Sequence, residues 1–295
     1  MSLRSVTWSI SDFASTHAAI VVERLRTIGG QLFAVEAHRE RMIEGVQLLG
    51  ISGAADLCGD LFDNILGQLL AKNEELVATC GDVGVVLLVS PGDPGIDGSE
   101  EMFPTICAHL IPIPWERLAS WYQTGCHLRT VEPRNIPKDC LPTLLKSRNR
   151  LHYYLADNEA KKLQPGSVGL LLDVDGSVSE TSIASILLVT DSGQVLSPRR
   201  DRILFGVSLG FVAEICDRLG TPVQDRAFAV EDVGKASEVL LVGTTGCLWP
   251  AVSLDQLPIG TGKPGAVYSK IRDRWIEQVK FDFVRQAISR TATLS

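Results

Sequence analysis

The 295-residue sequence predicts two mixed α/β domains. The chain is longer than the size at which a single core usually stops growing. Stretches of strand character alternate with stretches of helical spacing along its whole length. That alternation breaks at PIPWERLASWYQTG, residues 112–125, which carries Pro112 and Pro114. The expected organisation is a small N-terminal α/β domain over 1–115, a connection over 116–125, and a larger mixed-sheet C-terminal domain over 126–295.

The elements follow in order. AIVVERLRTIGGQLFAV, residues 19–35, has two short strands around a Gly29-Gly30 turn. Met42, Val46 and Leu49 then recur at helical spacing, and Gly50 closes that helix. Residues 54–73 read as a second amphipathic helix. Strands are expected at 83–90 and 104–112, separated by PGDPGIDGSEE, whose glycines, prolines and acids require an exposed loop. After the break come a strand at 126–131, the proline-rich loop EPRNIPKDCLP, and a helix beginning after Lys146. Strands are expected at 167–173, 185–190 and 194–197, then a helix at 207–219, strands at 237–243 and 248–254, and a last helix at 265–280. In that last helix Val267, Ile271, Trp275 and Val279 share one face. There is no internal repeat.

Composition narrows the function classes. A net charge of −7, with no Lys/Arg-rich run, argues against nucleic acid or an anionic membrane as the main partner. No apolar run approaches the ~18 residues of a membrane span, and MSLRSVTWSISDF lacks the apolar core of a signal peptide. A cytoplasmic location is expected. The seven cysteines (58, 80, 107, 126, 140, 216 and 247) form no CxxC pair and are expected as buried reduced thiols. The five histidines have no ligand spacing, so no metal site is expected.

Two motifs fail on inspection. Gly206-Val207-Ser208-Leu209-Gly210 matches the GxSxG nucleophile elbow, but in that fold the triad histidine follows the serine, and here the last histidine is His152. GTGKPG at 260–265 imitates a phosphate loop, but Leu257 and Pro264 occupy positions that need Gly and Ser/Thr.

Thirty-four residues separate Lys146 from Glu180. Lys146 follows the apolar LPTLL, which places its stem near a core. Glu180 falls in an expected turn before the apolar TSIASILLV. KSRNRLHYYLADNEA followed by GLLLDVDGSVSETSIASILLV resembles the class IV aminotransferases, the fold-type-IV pyridoxal-5′-phosphate enzymes. These include branched-chain and D-amino-acid aminotransferases and 4-amino-4-deoxychorismate lyases. Further pieces agree in order: FAVEAHRERM (33–42), ILFGVSLGFV (203–212), LVGTTGCLWPAVSLD (241–255) and IGTGKPGAVYSKI (259–271). The resemblance covers about residues 10–280.

The resemblance implies a two-domain fold with pyridoxal 5′-phosphate in the cleft, and a homodimer. It implies that Lys146 forms the imine with the cofactor and then acts as base and acid at the substrate Cα, and that Glu180 sits on the pyridine nitrogen. Arg41, Val207, Ser208, Thr244 and Thr245 would hold the phosphate; a forked guanidinium and helix N-terminal amides suit a dianion. The reaction implied is transfer of an amino group between an amino acid and a 2-oxo acid. His17, where relatives place pocket aromatics, and Arg129 or Arg134, by charge, are substrate candidates, with specificity set by loops near 12–20, 91–100 and 129–140.

The chain departs from the family pattern in several places. DFASTHAAIVVERLRT keeps Asp12 and Glu23 but lacks the family's Tyr and G-D-G turn. Pro91-Gly92 replaces an R-G pair, and Ser185 replaces an Asn. Asn149-Arg150-Leu151 leans towards the deoxychorismate lyases, which eliminate pyruvate. Transaminase, lyase and a non-catalytic paralogue all stay open at this point.

Overall fold

The computed structural model describes residues 7–95 and 102–292. Its contacts divide the chain into two units, Met1–Ile113 with Leu144–Asn149, and Pro114–Thr143 with Arg150–Ser295. This differs from the expected boundaries in two places. The 116–125 connection is a helix, Trp115–Thr124, with Leu118, Ala119, Trp121 and Tyr122 buried inside the second unit. And the chain returns to the first unit at 144–149, so Lys146 belongs to that unit and not to the C-terminal one.

The first unit is built on an antiparallel sheet ordered β2-β1-β3-β4, from β1 (Val21–Ile28), β2 (Gln31–Leu32), β3 (Val83–Ser90) and β4 (Thr105–Pro112). Gly29 and Gly30 have φ of 61° and 79°, the left-handed pair that a two-residue hairpin needs. The buried Asp82 carboxylate accepts from both their amides, at 3.0 and 2.9 Å. The helix Val35–Leu48 lies on this sheet through Met42 and Val46. Gly45 allows the close approach: a Cβ there would stand 2.9 Å from Val21 Cγ1. The expected helix over 54–73 is an interrupted one, Ala54–Asp60 and Leu66–Ala71 joined by the π-helical turn Leu61–Ile65. Sequence periodicity missed the short helix Glu74–Cys80, none of whose residues is buried.

The second unit holds nine strands: β5 (Cys126–Arg134), β6 (Val168–Leu172), β7 (Val178–Thr181), β8 (Ser185–Val189), β9 (Val195–Ser197), β10 (Val223–Asp225), β11 (Glu238–Gly243), β12 (Cys247–Leu254) and β13 (Leu257–Pro258). Their order is β10-β9-β8-β11-β12-β5-β6-β7, with β13 on β12. β7 ends this order, while β8 lies near the opposite end. Only residues 182–184 join them, and Thr181 N donates to Ala184 O at 2.9 Å, so the sheet curls to bring its ends together. Every residue of β6, β7, β8, β11's central four and β12 is buried, the pattern of strands covered on both faces.

Two expectations about Glu180 and Lys146 change. Glu180 is on strand β7 and buried, not in a turn. Lys146 opens no helix: Val22 N donates to Lys146 O at 2.8 Å and Val21 bridges Ser147, so the segment runs extended along β1. The helix begins at Leu151 and runs to Leu163. Three cysteines also depart from the expected burial: Cys140 is exposed, and Cys80 and Cys107 are half-buried. Among the described residues no helix is long and apolar enough to cross a membrane.

The helices Val207–Arg218, Ala266–Val279 and Phe283–Ala292 meet around Trp275, which is fully buried. Its ring lies 4.9 Å from Phe211 and 6.0 Å from Phe283, centroid to centroid. The last of these helices was not expected from the sequence. We predict that Trp275→Ala costs about 3–5 kcal/mol, read as a lower urea midpoint for the second unit.

Candidate active site

Each unit carries a cluster of polar groups that its packing alone does not explain. In the first, Val21, Glu23 and Leu25 share one face of β1, because strand side chains alternate. Val21 and Leu25 enter the apolar core, which leaves the fully buried Glu23 carboxylate among them. The helix Val35–Leu48 answers it. Arg41 donates Nε to Oε1 at 2.7 Å and Nη2 to Oε2 at 2.8 Å, and His38 Nδ1 lies 2.6 Å from Oε2. Burial alone would raise the Glu23 pKa. The Arg41 charge and the hydrogen bonds from His38 and Arg41 outweigh it and bring the carboxyl down to about 2. Burial pushes His38 below the ordinary histidine range, with the charges of Arg41 and Lys146 acting the same way. A neutral His38 therefore donates from Nδ1 to the carboxylate. Arg41 is held as a fork with its Nη1 left unbonded among the described residues. The Lys146 charge acts on this same cluster.

The second unit holds two groups. Glu180, 9% exposed on β7, accepts at Oε1 from Tyr153 OH at 2.6 Å and from Asn135 Nδ2 at 3.1 Å. Tyr153 comes from the helix Leu151–Leu163, and Asn135 directly follows β5. The other group is the start of the helix Val207–Arg218. Gly206 caps it with no side-chain hydrogen bond, and the Ser208 hydroxyl is buried without a partner among the described residues. A Cβ on Gly206 would stand 3.6 Å from Ser185 Oγ, at the start of β8. Ser185 pairs with Val242 on β11, whose end leads into Thr244 and Thr245, both half-buried. A buried hydroxyl without a partner is costly. Set at an uncapped helix N-terminus among further hydroxyls, it fits the oxygens of a bound anion.

The substrate candidates are scattered. His17 is exposed, with Nδ1 2.8 Å from Thr16 Oγ1 and its ring on Phe13. The 12–20 loop does meet the 91–95 segment: Phe13 N donates to Gly92 O at 3.0 Å, and Ser90 Oγ donates to Asp12 at 2.7 Å. Residues 96–100 of the expected specificity loop lie outside the described residues. Arg129 Nε stands 3.6 Å from the Asp255 carboxylate, and Arg134 is exposed at the end of β5. Sequence spacing found neither Asn135 nor Tyr153, which reach Glu180 from two separate elements.

The Glu23 carboxyl titrates near 4.5 in an unfolded chain and about 2 when folded. Its stabilising contribution is therefore complete above about pH 4.5 and lost as the pH falls towards 2. Glu23→Gln should lower stability by about 3–5 kcal/mol at neutral pH, since it leaves Arg41 unpaired, and should flatten the acid limb in that window. Urea midpoints measured across pH check both.

The amino-transferase class IV family model matches residues 20–254. The chain is 26% identical over 273 residues to branched-chain-amino-acid aminotransferase-like protein 1 of Arabidopsis thaliana, covering 90% of this chain and 47% of that protein. The chain thus spans about half the length of that relative. It is 25% identical over 273 residues to a putative branched-chain-amino-acid aminotransferase of Methanocaldococcus jannaschii, covering 90% and 89%. Among solved structures, the branched-chain amino acid aminotransferase of Thermobaculum terrenum in its PLP form superposes with a TM-score of 0.78 at 21% identity, covering 97% of this chain and 92% of that one. At that identity the likeness shows the fold. The matched family model spans most of the sequence and all three polar groups built above, and on that ground the chain belongs to the class IV amino-transferases.

Proposed function

We propose that the protein is a pyridoxal-phosphate-dependent aminotransferase acting on an amino acid and a 2-oxo acid. The observation that carries this reading is the buried, unpartnered Ser208 hydroxyl at an uncapped helix start. Pyridoxal phosphate, when bound, supplies an electron sink for the charge left at the substrate Cα. Ser208, the amides of Val207 and Ser208, and the hydroxyls of Thr244 and Thr245 would hold its phosphate, with Arg41 as the cation. Glu23 and His38 fix the direction of that guanidinium, so little rotamer freedom is lost on binding.

Glu180 would hold the ring nitrogen, and its carboxylate keeps the proton there by charge. Lys146 would anchor the cofactor through its side-chain amine. With its amine free, Lys146 would take the proton from the Cα of the amino donor and supply one to the Cα of the 2-oxo acid that receives the amino group. Burial of β6, β7 and β8 keeps water from the Glu180 side.

Purified protein supplied with pyridoxal phosphate should show a visible absorption band that Lys146→Ala abolishes. A protein that takes up no cofactor refutes the reading. Glu180→Gln should retain the cofactor and lose roughly a hundredfold or more in rate. Ser208→Ala should raise the Kd for the cofactor by about tenfold, the size of one hydrogen bond. Amino-group transfer to a 2-oxo acid separates a transaminase from a lyase, which would release pyruvate with no acceptor present.

A further inference from the structure

Glu180 is held by more than burial, and its partners are the least expected residues of the second unit. Both donors converge on the same oxygen. Tyr153 OH reaches Oε1 at 2.6 Å and Asn135 Nδ2 reaches it at 3.1 Å. The Asn135 amide is oriented from its other end. Its Oδ1 accepts from Ile136 N at 3.0 Å, its Nδ2 also donates to Ser179 Oγ at 2.6 Å, and its own backbone N donates to Leu172 O at 2.9 Å. The nitrogen face of the amide is thus the one turned to Glu180.

Tyr153 is fixed just as firmly. The Arg150 guanidinium lies 4.5 Å from the centre of its ring and donates through Nη2 to Ser182 O at 2.9 Å. The neighbouring His152 ring lies 3.9 Å from the Tyr153 ring, centre to centre. Burial first, then the Glu180 charge, keep the Tyr153 phenol well above its ordinary titration range, so it remains a donor.

We propose that Tyr153 and Asn135 are positioning residues that make Glu180 a poor proton acceptor, so that the proton between it and a bound cofactor's ring stays on the ring nitrogen. Two donors on one carboxylate oxygen stabilise the anion and lower its proton affinity. Where an acid and a heterocycle share a proton, that lowering decides which of them carries it. Removing a donor moves the proton towards the carboxylate and weakens the ring as an electron sink. The inference rests on the function proposed above, but concerns how Glu180 is tuned and not whether the cofactor binds.

The test is nitrogen-15 NMR of the protein loaded with pyridoxal phosphate labelled at its ring nitrogen. It compares the unaltered protein with Tyr153→Phe and Asn135→Ala, alongside cofactor Kd and steady-state kinetics. Tyr153→Phe keeps the ring that Arg150 and His152 pack against, and Asn135→Ala removes the second donor independently. The expected result is a protonated ring nitrogen in the unaltered protein and a shift towards the neutral value in each variant. With it should come a fall in kcat of about tenfold per variant and a KM changed less than twofold. A protein that takes up no cofactor overturns the function and this inference together. A loaded protein whose ring-nitrogen shift is unchanged from the unaltered protein in both variants overturns the inference alone, as does a loss confined to Kd.

Discussion

A carboxylate taken out of water must be answered by donors or it will not stay ionised. The two units of this protein are each arranged around one such demand. In the first, Glu23 stands on the core face of β1 between Val21 and Leu25, where an apolar residue would pack without cost. The helix Val35–Leu48 supplies Arg41 and His38 at a spacing of three, one turn apart on the face that meets the sheet. Replacing the whole set by apolar residues would be nearly neutral for stability; removing one member would not. A protein that retains such a set gains a fixed guanidinium in return.

The second unit repeats the constraint with different chemistry. Oε1 of Glu180 is met by a phenol and an amide. Neutral donors stabilise an anion without cancelling its charge. Glu23 is paired to the Arg41 guanidinium, whereas Tyr153 and Asn135 bring neutral donors to Glu180. Glu23 orients the Arg41 guanidinium, and Tyr153 and Asn135 orient Glu180.

Much of this was legible in the sequence, for reasons that can be named. The hairpin at Gly29-Gly30, the strands β3 and β4 and the helix after Gly206 follow local rules of turn chemistry and periodicity. Ordered motifs singled out Lys146, Glu180, Arg41 and Ser208 as candidates. What local rules could not give is which element a segment joins. Pro112 and Pro114 look like a connection, yet the helix after them buries Trp121, stacked 5.4 Å from Trp249, because a distant strand offers an aromatic surface. Lys146 precedes a helical pattern, yet it docks along the edge of β1, a pairing between residues more than a hundred positions apart. Asn135 and Tyr153 were invisible for the same reason, since neither has meaning until the curled sheet brings β5, β6 and β7 side by side.

The proposed chemistry depends above all on Lys146 being the lysine that carries the cofactor. The most direct measurement is borohydride reduction of protein loaded with pyridoxal phosphate, followed by peptide mapping of the reduced, covalently attached pyridoxyl group. The account predicts a single labelled peptide with the modification on Lys146. Label on another lysine, or none after reduction of a protein that has bound the cofactor, would contradict it.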